Sequence, residues 1–252
     1  MSDDFEKMFG PVIGRGAQAT VYAKGGYAVK LYRAGYPKAN VFTEAYIMAN
    51  LDRVDFPSPK VYEVLLTDGR YGLRMDRVAG KMMSEEFCDP AGCAKALAVL
   101  VDLQLRLQAY DLSWARDLKE RFRDDLVCNN QLLSGVREKL LNILDGLPSG
   151  LALCHCDFHS GNVFSDNGKY TIIDLLQISR GDPAADAACS YVAYLFTNRE
   201  LAEYYLQLYS TQSRISEAQI RQWLPVYAGT LLGQIPESYT ETLKNLIDLT
   251  MA

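Results

Sequence analysis

The sequence predicts an α+β fold of two lobes, in which a small antiparallel β lobe with one helix precedes a larger, mostly helical lobe. Three observations predict it. Strand-like segments separated by turns fill the chain up to residue 76, apolar residues at helical spacing follow, and a short strand-and-loop segment interrupts the helical pattern near residues 151–174. A run of strands followed by a run of helices is typical of α+β proteins.

Five short segments of the first part are rich in β-branched and aromatic residues and lie between glycine- or proline-bearing turns. This pattern is typical of antiparallel strands. Between the third and fourth segments the composition becomes helical from Pro37 to about Leu51, and Pro57 and Pro59 end that helix. The predicted strands are residues 12–14, 19–23, 27–32, 61–66 and 71–75.

The later part of the chain is predicted to be mostly helical. From about Pro90 to Leu147 apolar residues recur at the spacing of a helix face. After the interruption, helices resume at Asp182, which can cap a helix whose first position is Pro183, and they continue to the end. We therefore predict an N-terminal lobe at 1–76, a connector at 77–80 and a C-terminal lobe at 81–252.

Composition narrows the class of protein. Of 252 residues, 49% are hydrophobic and 23% are charged, with a net charge of -5, as expected for an ordinary globular protein. No stretch gathers Lys and Arg into a basic face, so no nucleic-acid partner is expected. The apolar run at residues 96–101 is too short to span a membrane, and the acidic start does not resemble a signal peptide. A cytoplasmic location is the expectation.

The six cysteines are expected to be free thiols rather than a disulfide scaffold. Cys154 and Cys156 flank His155, which raises the question of a metal site. Alternate residues of a strand point to opposite faces, and zinc sites usually offer a Cys-x-x-Cys pair, so a metal site at these cysteines is disfavoured.

The strongest chemical signal is the polar loop that contains His155, Asp157 and Asn162, followed by Asp174 at the end of an apolar strand. Read singly, these residues are typical of turns and strand ends. Together they suit phosphoryl transfer, in which one Asp accepts the proton of the attacking hydroxyl while an Asn and a second Asp hold Mg²⁺ against the phosphates. Magnesium prefers a few hard oxygen ligands, so this small set suffices.

This segment resembles the H-x-D-x-x-x-x-N catalytic loop of eukaryotic-like kinases. It looks most like the aminoglycoside phosphotransferase and choline kinase group, which has His-x-Gly-Asn where this chain has residues 159–162. The resemblance implies a two-lobed protein-kinase-like fold, ATP and Mg²⁺, Asp157 with His155 and Asn162 in the catalytic loop, and Asn162 with Asp174 as metal ligands. Residues 181–186 resemble the Gly-Asp-Pro-x-x-Asp element of that group, which implies that Asp186 braces the catalytic loop.

The N-terminal part matches the same group at three further places. Gly14, Gly16 and Val21 belong to a segment that resembles the kinase glycine-rich loop, and glycines let backbone N–H groups approach phosphates. It runs into a strand, so a dinucleotide site, which needs a helix there, is a poor fit. The resemblance makes Lys30 the phosphate-binding lysine, and Glu44 in the next helix is expected to pair with it, although a surface glutamate is the alternative.

Residues 75–80 resemble the kinase connector, which implies that the backbone at Asp76 and Val78 meets the adenine. The chain departs from the group at three positions. Cys156 replaces the usual glycine or asparagine, Leu175 stands where an aromatic residue is frequent, and Gln177 where an acid is frequent. The last two lie near the expected substrate mouth and weaken any transfer of substrate identity.

Three functions fit these patterns. The first is a kinase that phosphorylates a hydroxyl of a small molecule such as an aminoglycoside, an amino-alcohol or a sugar. The others are a protein kinase and a non-catalytic nucleotide-binding regulator. Acids outnumber bases after Gly181, which indicates either a solvated helical surface or attraction of a cationic substrate. The acceptor, ATP against GTP preference and oligomeric state stay open at this point.

Overall fold

The computed structural model describes residues 2–87 and 89–248, which form two compact units. The first unit comprises the chain up to Glu85 together with Gly161–Leu176, and the second comprises Glu86–Ser160 and the chain from Gln177. The predicted lobes at 1–76 and 81–252 stay a prediction. The units differ from them chiefly in that residues 161–176 belong with the N-terminal residues.

Ten strands and ten helices are named here in chain order. The strands are β1 (Val12–Arg15), β2 (Ala19–Lys24), β3 (Tyr27–Tyr32), β4 (Val61–Thr67), β5 (Arg70–Asp76), β6 (Lys81–Met82), β7 (Ala152–Cys154), β8 (Val163–Asp166), β9 (Lys169–Ile172) and β10 (Ser179–Gly181). The helices are α1 (Ser2–Phe9), α2 (Lys38–Leu51), α3 (Pro90–Gln108), α4 (Leu118–Cys128), α5 (Ser134–Gly146), α6 (Pro183–Leu195), α7 (Arg199–Ser213), α8 (Glu217–Arg221), α9 (Leu224–Leu231) and α10 (Thr240–Asp248). Single 3-10 turns occur at Asp52–Val54, Met83–Glu86, Ser160–Asn162, Leu175–Gln177 and Glu237–Tyr239.

The first unit is built on a five-stranded antiparallel sheet in the order β1-β2-β3-β5-β4. All five predicted strands and the predicted helix α2 are confirmed, with ends within about two residues. A second, three-stranded sheet in the order β6-β8-β9 belongs to the same unit. The fold class predicted from the sequence, α+β with a small antiparallel sheet and many helices, is confirmed.

The N-terminal helix α1 was not predicted. It lays Phe5 against a buried cluster on the sheet, and Phe9 packs at the edge of that cluster. Phe5 is 6% exposed although its two chain neighbours, Asp4 and Glu6, are both exposed acids. The cluster's other buried members are Tyr22, Val29 and Leu31.

The second unit is mostly helical and includes one antiparallel pair of strands, β7 with β10. The helical run predicted from Pro90 to Leu147 is three helices. The first, α3, ends at Gln108, and the next two begin after Asp117 and Leu133, which are N-cap residues in extended conformation. Asp182 caps α6 by accepting from the N–H of Ala184, with Pro183 at the first position, as predicted.

Among residues 2–87 and 89–248, no helix has both the length and the apolar character that crossing a membrane requires. Five cysteines of this part are free thiols, which agrees with the prediction for them, and Cys88 lies outside the described residues. Cys154, Cys156 and Cys189 are buried, Cys93 is half-buried and Cys128 is exposed.

Candidate active site

Lys30 of β3 forms two ion pairs within the first unit. Its Nζ lies 2.7 Å from Oε1 of Glu44 and 2.6 Å from Oδ1 of Asp174. The side chain of Glu44 is 4% exposed and that of Asp174 is 49% exposed, so the lysine joins a buried carboxylate to a solvent-facing one. Glu44 is therefore not a surface glutamate, and the sequence-predicted pair with Lys30 is present.

The local sequence explains this geometry. Alternate residues of β3 face the same side, so Lys30 and Tyr32 point together toward α2, which carries Glu44. The Tyr32 hydroxyl donates to Oε2 of Glu44, so that both carboxylate oxygens are satisfied. Burial acts to lower the pKa of Lys30, but the charges of Glu44 and Asp174 outweigh it and raise that pKa, which keeps the ammonium charged.

Asp174 and Asn162 lie at the same end of the β8-β9 hairpin. Val163 pairs with Ile172 in the hairpin, and just beyond that pair the N–H of Ile173 donates to the carbonyl of Asn162 at 3.0 Å. Asp174 has a φ of 57°, a left-handed conformation that is uncommon for a residue with a Cβ. Such backbone strain is typical of functional positions.

The glycine-bearing turn between β1 and β2 is closed by a hydrogen bond from the Gly16 N–H to the Ala19 carbonyl at 2.9 Å. Gly14 pairs with Val21 across the hairpin. Neither glycine is in the left-handed region, and a Cβ would meet only ordinary contacts, at 3.7 Å from Val21 for Gly14 and 3.7 Å from Ala19 for Gly16. The folded backbone thus does not itself require glycine at either position.

The connector residues differ in the use of their N–H groups. The N–H of Asp76 donates to Lys60 and that of Arg77 to Gly26, at 3.0 and 2.9 Å. Within the described ranges the N–H of Val78 has no protein acceptor. The side chain of Asp76 is held by the N–H of Lys60 and the hydroxyl of Tyr62.

The predicted catalytic loop lies in the second unit up to Ser160. The side chain of Asp157 is 43% exposed, and its Oδ1 lies 3.5 Å from Nε2 of His159. His155 is 1% exposed, and its ring meets the edge of Phe158 with centroids 5.8 Å apart. Asp157 is therefore accessible to a ligand, whereas His155 lies in the core beneath the loop.

The backbone just before Asp157 is anchored from two helices. The N–H of Cys156 donates to Oδ1 of Asp186 on α6 at 2.8 Å, and the hydroxyl of Tyr227 on α9 donates to the Cys156 carbonyl at 3.2 Å. Asp186 is buried, and its Oδ2 accepts from Gln104 and Gln108 of α3. The brace that the resemblance implied for Asp186 is thus present in the structure.

Cys156 has a φ of 62°, so this position needs a left-handed backbone. That conformation is easiest for glycine and asparagine, so a cysteine there adds strain of about 1–2 kcal/mol. Burial acts to raise the pKa of the Cys156 thiol. Hydrogen bonds with the neighbouring thiols of Cys154 and Cys189, and then the guanidinium of Arg121, outweigh burial and hold that pKa below its usual range.

The other two departures differ in burial, because the side chain of Leu175 is buried and Gln177 is exposed. Leu175 belongs to the first unit and is 1% exposed, so its side chain is buried. The backbone carbonyl of Gln177 accepts a hydrogen bond from the guanidinium of Arg121 in the second unit.

Three of the side chains at this site were not among the predicted site residues. Tyr32 shares Glu44 with Lys30, His159 approaches Asp157, and Arg121 approaches the Cys156 thiol. The signal for Tyr32 was its position two residues after Lys30 on the same strand, hence on the same face. His159 was visible as a polar loop residue, whereas Arg121 lies in a helix far from the motif and carries no local signal.

Most of the chain matches a known protein family. Residues 11–224 match the family model APH, described as the phosphotransferase enzyme family. A search of curated proteins gave no match.

Solved structures with the same fold include a thermostable mutant of the aminoglycoside phosphotransferase APH(4)-Ia in ternary complex with ADP and hygromycin B. It is 14% identical, with a TM-score of 0.71, over 98% of this chain and 96% of that one. APH(3'')-Id from Streptomyces rimosus, in complex with ADP and streptomycin, is 20% identical, with a TM-score of 0.61, over 84% and 90% of the two chains. A choline/ethanolamine kinase family protein from Mesorhizobium loti is 18% identical, with a TM-score of 0.57, over 94% and 87%. At these identities the likeness concerns the fold, and it confirms the predicted kinase-like fold.

Proposed function

The chain belongs to the phosphotransferase enzyme family, and we propose that it moves the γ-phosphate of ATP, bound with Mg²⁺, to a hydroxyl group of a small cationic molecule in the cytoplasm. The observation that carries the proposal is the pairing of Lys30 with both Glu44 and Asp174. This arrangement fixes an ammonium group beside a solvent-facing carboxylate, which suits the binding of a phosphate chain together with a metal ion.

The nucleotide is assigned to groups of the first unit. Lys30 Nζ would neutralise phosphate charge. The turn that contains Gly14 and Gly16 would offer phosphate oxygens its backbone N–H groups other than that of Gly16, which donates to Ala19. The Val78 N–H and the Asp76 carbonyl would meet the adenine edge. The relatives described with ADP support this assignment, because they share the fold over most of the chain.

Asn162 and Asp174 fit a magnesium ion. Both side chains carry oxygen atoms, and the hydrogen bond from the Ile173 N–H to the Asn162 carbonyl holds the two residues at one end of the hairpin. Half of the Asp174 side chain is exposed, whereas Asn162 is 5% exposed. Magnesium is usually held by one or two such ligands with water and phosphate completing its shell. When bound, the ion supplies positive charge to the phosphate oxygens.

In the reaction, Asp157 orients the acceptor hydroxyl and takes its proton as the oxygen bonds to the γ-phosphorus. The bond from that phosphorus to the β–γ bridging oxygen breaks, and ADP carries away its electron pair. The Asp186 contact with the Cys156 N–H keeps Asp157 in place during this step. His155 supports the loop from the core.

The acceptor class is drawn from the relatives. Hygromycin B and streptomycin are bound by relatives of this fold, and both are cationic. The acidic excess after Gly181 adds little, because Asp182 caps α6, Asp186 braces the loop and Glu203 pairs with Arg221. Neither a protein kinase nor a non-catalytic regulator is favoured, since the solved relatives named above are aminoglycoside phosphotransferases and a choline/ethanolamine kinase family protein.

The decisive experiment is ATP consumption with Mg²⁺ across a panel of aminoglycosides, amino-alcohols and sugars, with Asp157→Asn as the control. We expect at least one acceptor to be phosphorylated, and the variant to lower kcat by about 10²–10⁴-fold while still binding ATP. Near-normal turnover by a folded Asp157→Asn protein would contradict the role of Asp157 as the group that accepts the hydroxyl proton. ATP binding without any phosphorylated acceptor would instead favour a protein substrate or a regulatory role.

A further inference from the structure

A chain of side-chain contacts leads from the Lys30–Glu44 pair to the glycine-bearing turn. It begins at Glu44, whose Oε2 accepts from the Tyr32 hydroxyl while its Oε1 accepts from Lys30. The fully buried ring of Tyr32 stacks on the ring of Tyr36, with centroids 4.6 Å apart and planes 12° from parallel. Tyr36 is 9% exposed, so this stack is itself part of the core.

The chain of contacts ends in the turn. The Tyr36 hydroxyl donates to Oε1 of Gln18 at 2.8 Å, and the Gln18 carbonyl accepts from the N–H of Arg33 at 2.8 Å. Gln18 lies between Gly16 and Ala19, whose hydrogen bond closes the turn. The segment after β3 therefore holds the turn through both the backbone and the side chain of one residue.

This contact matters because of the glycines. Gly14 and Gly16 give the turn more backbone freedom than other residues would. This freedom allows close approach of a ligand, but it also allows the turn to adopt several conformations. A buried aromatic stack is a rigid support, since the rings have few torsions and are closely packed. Through the hydrogen bond between Tyr36 and Gln18, the stack limits the conformations open to the turn.

We propose that Tyr32, Tyr36 and Gln18 are positioning residues that hold the glycine-bearing turn at a fixed place relative to Lys30 Nζ. The turn's N–H groups and the Lys30 ammonium are thereby presented together to the phosphates of a nucleoside triphosphate. This inference rests on the proposed nucleotide binding and goes beyond it, because none of the three residues needs to touch the nucleotide.

The test uses the full chain and four variants. Tyr36→Phe removes the hydroxyl and keeps the stack, Gln18→Leu removes the acceptor at similar size, and a double variant combines them. Tyr71→Phe is the matched control, because Tyr71 lies on β5 of the same unit and its ring packs on Phe42 away from the turn. Calorimetry gives the Kd for ATP with Mg²⁺, and steady-state kinetics give kcat and KM.

Each single variant is expected to weaken ATP binding about 3–10-fold, the usual effect of one lost hydrogen bond, with kcat at saturating ATP changed less than about twofold. The double variant should bind no more weakly than the weaker single variant, because both changes break the same contact. Hydrogen exchange at residues 14–19 should be faster in Tyr36→Phe than in the wild type or Tyr71→Phe.

Three outcomes would overturn the inference. If the wild type fails to bind ATP, the proposed function fails and this inference fails with it. If the wild type binds ATP and both single variants bind equally well, only the inference fails. Additive losses in the double variant would show that Tyr36 and Gln18 act independently, and would rule out the connection.

Discussion

At the scale of single residues, Lys30 joins two carboxylates of the first unit. Its ammonium has one buried partner, Glu44, and one exposed partner, Asp174. The buried contact differs in kind from a surface ion pair, because a carboxylate left alone in the core is costly whereas an exposed one is hydrated. The effect of removing Lys30 should therefore come mainly through Glu44.

We expect Lys30→Met to lower the free energy of unfolding by about 3 kcal/mol, since it removes one partner of a buried ion pair. Lys30→Met combined with Glu44→Gln should regain at least half of that loss, because the Tyr32 hydroxyl can still donate to the carboxamide and no buried charge is left. Urea denaturation of the two proteins and of Glu44→Gln measures this. A double variant as unstable as the sum of the single variants would contradict it.

The residues of the candidate site were predictable where a motif fixes their spacing. Lys30, Asn162 and Asp174 follow from the order of short motifs along the chain, and the structure brings Lys30 and Asp174 together although 144 residues separate them. Tyr32 was not predictable in the same way, because a tyrosine in a strand is usually a core residue. The contribution of Tyr32 depends on the hydrogen-bond partner of its hydroxyl. That partner, Glu44, is brought to it by the packing of α2 on the sheet.

At the scale of elements, helix α6 anchors the loop that contains Asp157. Its buried Asp186 binds the Cys156 N–H with one oxygen and two glutamines of α3 with the other. The helix begins with a second carboxylate, Asp182, which caps it and also accepts from Trp223 at 3.3 Å. One helix thus carries a brace and a cap whose effects can be separated.

We expect Asp186→Ala to lower kcat about 10²-fold, since loss of the contact at Cys156 frees the backbone beside Asp157 and small misplacements of a catalytic group are costly. The Kd for ATP should change little. Asp182→Ala is the matched control on the same helix, and it should destabilise the protein by about 1 kcal/mol through the lost cap while kcat is retained. Equal kcat losses in the two variants would mean that general destabilisation, not the brace, explains the effect.

The junction between α1 and β1 depends on Gly10. It has a φ of 85°, and a Cβ there would lie 2.0 Å from the Ala23 carbonyl oxygen. Gly25 has a φ of 62° but nothing within 4 Å of a Cβ. We expect Gly25→Ala to cost only the left-handed strain of about 1–2 kcal/mol, and Gly10→Ala to cost clearly more because the backbone must move. Thermal unfolding of both variants measures the difference, and equal losses would contradict the steric explanation.

Helix α1 is an element of the first unit that the sequence did not predict. Its residues mix charges with two aromatic rings, and a segment this short has weak intrinsic helicity. Phe5 and Phe9 lie four residues apart, so they share a helix face and stack with centroids 6.4 Å apart. That spacing was the available signal for a helix. The helix is stabilised by the packing of its two rings on the sheet, and a local sequence pattern does not reveal such a tertiary contact.

At the scale of the whole molecule, nucleotide binding should raise the free energy of unfolding. A ligand at 100 times its Kd adds about 2.7 kcal/mol to the free energy of unfolding. For a chain of this size we expect ATP with Mg²⁺ to raise the Tm by about 5–10 °C. Chelation of the metal should remove most of the increase in the wild type, and Asp174→Asn should show little metal-dependent increase from the start. A shift that is insensitive to chelation would contradict the metal role of Asp174.

The chain passes between the two compact units three times, after Glu85, after Ser160 and after Leu176. The first unit is therefore not one continuous piece of polypeptide. A fragment that ends at residue 85 would keep Lys30 and Glu44 but would lack Asp174, which lies 2.6 Å from Lys30 Nζ. At the level of the gene, a single crossover that transferred the codons of both Lys30 and Asp174 would therefore also transfer all the codons between them, including those of the second unit's residues 86–160.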